Sequence, residues 1–254
     1  MLVPPRISPA ELASTRRKLR SQTARVETEL RVRLSAEFAR IIRREVLRAV
    51  QLKGISKIRK AITSEDEDSI WKLIEDANIQ VFTEARRDFT SGFRIGVVRR
   101  DTKRDTMLAA KEVKIREFLY EARIDLADRV RHVISTASET ATIDETARRL
   151  FTSLRDHGTF SRARAEVIAR TETAQAENFG IVTGLSDSGF EMLEWISIRD
   201  DRVRPDHEAM HGVRAKIGEP FTLPDGTELE FPAHFDGPPE HVINCRCTVA
   251  PVVE

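Results

Sequence analysis

The chain has 254 residues, of which 33% are charged and 40% apolar; an average globular domain carries about 25% charged and about 45–50% apolar residues. Its 11 glycines and 10 prolines exclude collagen-like and low-complexity classes, and no apolar run reaches the ~18–20 residues of a membrane span. Two cysteines only two positions apart exclude a disulfide framework and fit a reducing, intracellular setting, and without a signal-peptide stretch near the start, secretion is not expected.

Proline sets the organisation. Pro4, Pro5 and Pro9 open the chain, none follows until Pro205, and seven fall in the last 50 residues. Proline breaks helices, so the chain reads as α+β: a long-helical N-terminal region over 1–139 and a small α+β module over 140–254. The first helix starts at a capping box, Ser8 with Glu11, and has Pro9 in its first turn. Val26, Leu30, Leu34, Phe38, Ile42, Val46 and Val50 then recur every four residues, one apolar stripe ending near Gly54. A second helix opens at Ser64, with Glu65 to Asp68 suited to the positive end of its dipole, and is interrupted at Gly92 and Gly96. A third covers roughly 105–134. A short one follows the box Thr142 and Glu145 and ends near Gly158, and a fifth runs from Ser161 to about Leu185. Beyond Gly189 the texture changes. Phe190–Ile198 reads as a strand, 205–211 as two helical turns, Asp225-Gly226 as a hairpin turn between 221–223 and 227–231, and Cys245–Val253 as a closing strand.

The net charge of +1 conceals a polarity. Residues 1–60 hold 16 Lys and Arg against 5 Asp and Glu, a net of +11, whereas residues 191–254 hold 6 against 13, a net of −7. Arg16, Arg17, Lys18, Arg20, Arg40, Arg43 and Arg44 are therefore candidate contacts for DNA phosphates or an acidic protein surface. The plain alternative is a solvated helix face. Phe38 is the one aromatic residue in that region, so stacking on single-stranded bases is not supported.

Four of the six histidines and both cysteines fall within 207–247. His207 and His211 are four apart and share a face if helical; Cys245 and Cys247 are two apart and share a face if extended. The two pairs can close a Cys2His2 structural zinc site, with His241 a substitute for either histidine. The alternative is that the cysteines pack as small apolar side chains. Asp200, Asp201, Asp206 and Glu208 read as an acidic surface loop rather than a cation site. No phosphate-binding glycine loop and no nucleophile motif appears, so no catalytic residue is assigned. Arg170 and Glu172 point to different faces of their helix and read as tethers for C-terminal loops.

The strings IARTETAQAENFG (168–180), EWISIRDDRVRPDHEAMHG (194–212) and INCRC (243–247) resemble the phage Mu protein F-like family of minor head, or head morphogenesis, proteins. The resemblance covers roughly 140–254 and carries Arg170, Thr171, Glu172, Asn178, Trp195, Asp200, Arg202, His207, Gly212, Asn244, Cys245, Arg246 and Cys247. Some relatives have C-x-x-C where this chain has Arg204 and His207. The resemblance implies a non-enzymatic virion component, present in few copies beside the portal protein inside the capsid, after a cytoplasmic assembly stage. Its expected partners are the portal, capsid or scaffold proteins and packaged DNA, with no membrane; its expected role is head assembly and DNA packaging or delivery. The alternative is a metal-dependent nuclease or toxin-like effector, with His207 or His241 as general base.

Overall fold

A computed structural model describes residues 7–52, 64–90, 101–136, 143–158 and 160–252. Five long helices come first: α1 (Pro9–Leu52), α2 (Ser64–Thr90), α3 (Thr102–Ser135), α4 (Ile143–His157) and α5 (Arg162–Asp187). Then follow β1 (Met192–Ile196), α6 (Pro205–Ala209), β2 (Arg214–Lys216), β3 (Phe221–Thr222), β4 (Glu228–Leu229), α7 (Pro239–Val242) and β5 (Thr248–Pro251). The architecture is α+β, as the proline pattern implies.

The start of α1 is reciprocal. Glu11 Oε2 accepts the Ser8 N–H at 2.9 Å and the Ser8 hydroxyl at 2.7 Å, while the Glu11 N–H donates to Ser8 Oγ at 3.3 Å, which satisfies donors a helix start leaves open. Ser161 does the same for α5 by accepting the Arg164 N–H at 3.1 Å. Val26 to Val46 of the α1 stripe are buried. The Val50 side chain, Gly54, Gly92, Gly96 and Thr142 lie outside the described residues.

β1 is the middle strand of a three-stranded antiparallel sheet in the order β2-β1-β5. Glu194 faces Arg214 on one side, and Trp195 faces Val249 on the other. β3 and β4 form a separate two-stranded hairpin with Phe221 opposite Leu229. β2 and α7 lie in segments where no element was expected.

The chain divides into two compact units. One takes Met1–Thr28, Glu75–Ala109 and Ile168–Glu254; the other takes Glu29–Ile74 and Ala110–Val167. The core of the second is built on Leu34, Phe38, Ile41, Ile74, Leu119, Val130 and Leu150, with Phe38 edge-on to Phe160 at 5.0 Å. In it Asp66, 1% exposed, accepts from Arg40 at 2.7 Å and from Arg44 at 2.6 and 2.8 Å. A carboxylate buried this deeply persists because it is paired.

The core of the first unit joins Leu19, Ala85, Phe89, Ile181 and Leu185 to Leu193, Trp195, Phe221, Leu229, Phe231, Cys245, Cys247 and Val249. Within it, Gly180 and Gly184 bring α5 against the backbone of α2. A Cβ on Gly180 would stand 2.7 Å from the Phe82 carbonyl oxygen, and one on Gly184 would stand 2.7 Å from that of Arg86. Arg86 ties the same pair of helices, donating from Nε to Asp187 at 2.8 Å and from a terminal nitrogen to Asp101.

Candidate metal centre

Three strings of sequence meet at one point in the first unit. Pro205 opens α6 from an extended Arg204, and His207 is the buried residue of that short helix. Its carbonyl accepts the buried Ser197 hydroxyl just beyond β1, and its ring meets Trp195 edge-on at 5.4 Å. Arg204 itself donates to the Ile243 carbonyl at 2.6 Å, so the loop before α6 is fastened to the segment that carries the cysteines.

That segment turns at Asn244, whose φ of 59° lies in the left-handed region that asparagine tolerates. The turn is held from α5: Arg170 donates to Asn244 Oδ1 at 3.2 Å, and the Asn244 N–H donates to Thr171 Oγ1 at 3.0 Å. Cys245 and Cys247 then both reach His207, while Arg246 between them binds Asp200 through two bonds of 2.6 and 2.7 Å. Asn178 on α5 donates to the Pro232 carbonyl at 2.8 Å and to the Cys247 carbonyl at 3.1 Å. Glu172 accepts from Asn78 on α2 at 3.2 Å. Arg170 thus contacts the cysteine loop, whereas the Asn78 bond of Glu172 runs to α2 and not to a C-terminal loop.

His207 is 1%, Cys245 1% and Cys247 4% exposed. His207 Nδ1 lies 3.5 Å from the Cys245 sulfur and 3.7 Å from the Cys247 sulfur, and the three donor atoms all fall within 4.8 Å of one another. Ligands at about 2.3 Å (thiolate) and about 2.05 Å (imidazole) from one tetrahedral zinc ion are separated by about 3.6 Å. The observed spacing is that of a zinc half-shell, and the donor set is of the soft kind zinc prefers. The thiols are already unequal. A hydrogen bond from Cys245, helped by His207, pushes the Cys247 thiol down against the effect of burial; the same bond and burial push Cys245 up. Cys247 is thus the thiol biased toward the thiolate, and a bound cation would favour that form at both sulfurs.

The other expected ligands stand apart. α6 stops at Ala209 and the chain turns at Gly212, φ 83°, so His211 leaves the helical face it was expected to share with His207. Its Nδ1 accepts the Ser197 N–H at 3.2 Å. His241 stacks on His207 with ring centroids 5.5 Å apart, but its Nε2 faces Asp225 at 2.8 Å. Among the described residues no fourth His, Cys, Asp or Glu joins the three. Nothing in the sequence singles out Ser197, and neither the Arg204 bond to the Ile243 carbonyl nor the Asp225 contact with His241 is legible there: Arg204 stands out only beside relatives' C-x-x-C, and Asp225 only as part of a hairpin turn.

The basic residues occupy varied surroundings. Arg17, Arg20 and Arg43 are exposed, and Arg16 is half-buried. Lys18 donates to Asp88 at 3.0 Å, and Arg40 and Arg44 are bonded to Asp66. Arg20 also lines a cleft of about 220 Å³ with Glu27, Arg170, Glu177 and Asn178, whose floor includes both cysteines.

Residues 128–250 match the family model described as phage Mu protein F like protein. The match spans just under half of the chain and supports a phage Mu F-like head morphogenesis protein. The match takes in the end of α3, α4, α5 and the whole cysteine–histidine group. In the Mu F-like segment the R-T-E string, the Trp strand, D-x-R-x-x-x-x-H and N-C-R-C meet in space, and their polar residues bond largely to one another. Searches of curated proteins and of solved structures found no match to the chain. Among the described residues no helix is long and apolar enough to cross a membrane.

Proposed function

We propose that the protein is a non-enzymatic minor head component, held beside the portal protein on the inner side of the capsid, where it assists head assembly and DNA packaging or delivery. The observation that carries this reading is the use of the family residues. Asp200 with Arg246, Arg170 and Thr171 with Asn244, and Asn178 with the Cys247 carbonyl bind chain segments to each other. They build a scaffold for docking. The exposed Arg17, Arg20 and Arg43 offer charge to packaged DNA or to an acidic face of a capsid or scaffold partner.

In this reading His207, Cys245 and Cys247 hold a structural zinc ion, with an oxygen donor completing the four. Bound zinc keeps both sulfurs as thiolates and links α6 to the last strand, in a region whose strands are two to five residues long. The chain's own part is to aim three donors at one point from two loops that Arg204 and Asn244 already fasten.

Cross-linking of isolated heads followed by mass spectrometry tests the placement. The expected result is this chain in low copy number, cross-linked to the portal. Its absence from heads, or cross-links to the outer shell alone, contradicts it. A second reading, a metal-dependent nuclease, draws on one observation, that three protein donors converge and leave a fourth position, as catalytic zinc sites do. Duplex and single-stranded DNA incubated with zinc-loaded protein should stay intact; cleavage abolished by His207→Ala would favour the nuclease.

A further inference from the structure

Beside the thiolate group lies a second set of donors. Asp206 immediately precedes His207 on α6, Asp225 sits in the turn between β3 and β4, and His241 is on α7. One ligand atom from each lies within 4.8 Å of the other two. The set is pre-oriented. Asp225 Oδ1 accepts the Thr227 N–H at 2.9 Å, and this turns Oδ2 to His241 Nε2 at 2.8 Å.

Two features set this group apart from an ordinary acidic surface. His241 is 5% exposed, and among the described residues its ring's one hydrogen bond is to Asp225, inside the group; its Nδ1 is buried without a partner. Asp206 is half-buried, and its side chain makes no hydrogen bond or ion pair among the described residues. Two carboxylates held this close repel each other, and no lysine or arginine among the described residues pairs with either. A buried imidazole that turns its nitrogen toward two such carboxylates is the arrangement of a cation site.

We propose that Asp206, Asp225 and His241 form a second divalent-cation site, which takes a first-row transition metal through two carboxylate oxygens and one imidazole nitrogen. The donors decide the class. Carboxylate and imidazole accept Mn²⁺, Co²⁺ or Zn²⁺, whereas the His207, Cys245 and Cys247 set selects softer thiophilic ions. Asp225 is 43% exposed at its side chain, so one side of the ion stays open to water ligands. The site joins α6, the hairpin turn and α7, three short pieces of the same compact unit.

Mn²⁺ is the discriminating probe, because its preference for oxygen keeps it from the thiolates. Untagged full-length protein carrying one equivalent of zinc is titrated with Mn²⁺, and free Mn²⁺ is followed by electron paramagnetic resonance. The expected result is one Mn²⁺ bound per chain, weakened at least tenfold by Asp206→Asn and by Asp225→Asn, with zinc content unchanged. The Asp225→Asn side chain keeps an acceptor for the Thr227 N–H, so the turn is retained. No saturable Mn²⁺ binding to the wild type, or wild-type binding by the Asp206→Asn/Asp225→Asn double variant, overturns the site. Zinc is counted in the same samples. A chain without zinc that still binds Mn²⁺ through Asp206 and Asp225 supports this site and counts against the thiolate one alone.

Discussion

Arg246 grips Asp200 with two charge-assisted hydrogen bonds of 2.6 and 2.7 Å, while the cysteines on either side of it both turn to His207. The pair sets the orientation of the cysteine segment. The Arg246 guanidinium, with the Arg202 N–H, holds the Asp200 carboxyl well below the ordinary carboxylate range. A carboxyl depressed in the folded state contributes stability that is fully present above its unfolded pKa, about 3.9, and is lost as pH falls toward the folded value. Asp200→Asn should therefore lower the melting temperature at neutral pH and flatten its decline below about pH 4. Thermal melts of both proteins from pH 2 to pH 7 measure this; parallel curves would contradict it.

Gly180→Ala should destabilise the first unit by about 1–3 kcal/mol, the usual cost of forcing a methyl group into a packed contact. The reason is the 2.7 Å approach to the Phe82 carbonyl, which is backbone and cannot swing aside. Urea unfolding of the variant gives the number. Ser186→Ala, at an exposed position near the end of the same helix, should change stability by less than about 0.5 kcal/mol.

Much of this helical framework is legible in the chain. A four-residue apolar stripe and the Ser8–Glu11 box fix α1, and Ser161 marks the start of α5. β2 is not legible, because Arg-Ala-Lys has no apolar alternation; it is a strand because β1 offers it an edge, with Glu194 opposite Arg214. Nor can chain order show that Leu19, Ala85 and Phe89 share a core with Trp195 and Phe231, since such contacts join residues more than a hundred positions apart. In the metal centre, residue type and i, i+2 spacing pointed to Cys245 and Cys247, and His207 joins them. His211 does not, because helical spacing means nothing once α6 has ended.

Trp195 is fully buried, packed edge-on against both His207 and Phe221 at 5.4 Å. Trp195→Ala should cost about 3–5 kcal/mol through the cavity it leaves. It should also loosen His207, so zinc retention against a chelator should fall along with the melting temperature. Unchanged retention would separate the indole from the metal centre.

The basic residues divide by what they touch. Arg17, Arg20 and Arg43 are exposed, whereas Arg40 and Arg44 are bonded to Asp66. Full-length protein should bind duplex DNA weakly and without sequence preference, with affinity falling steeply as salt rises. Arg17→Glu, Arg20→Glu and Arg43→Glu together should abolish that binding while leaving the fold intact. Salt-independent binding, or wild-type affinity in the triple variant, would remove DNA from the expected partners.

The most direct test of the zinc-organised module is X-ray absorption at the zinc edge on untagged full-length protein. The expected spectrum shows two sulfur scatterers at about 2.3 Å and nitrogen or oxygen at about 2.0–2.1 Å, with outer-shell scattering from one imidazole. Cys245→Ser should remove one of the two sulfurs. A folded protein without zinc, or with zinc bound through oxygen and nitrogen alone, would contradict it.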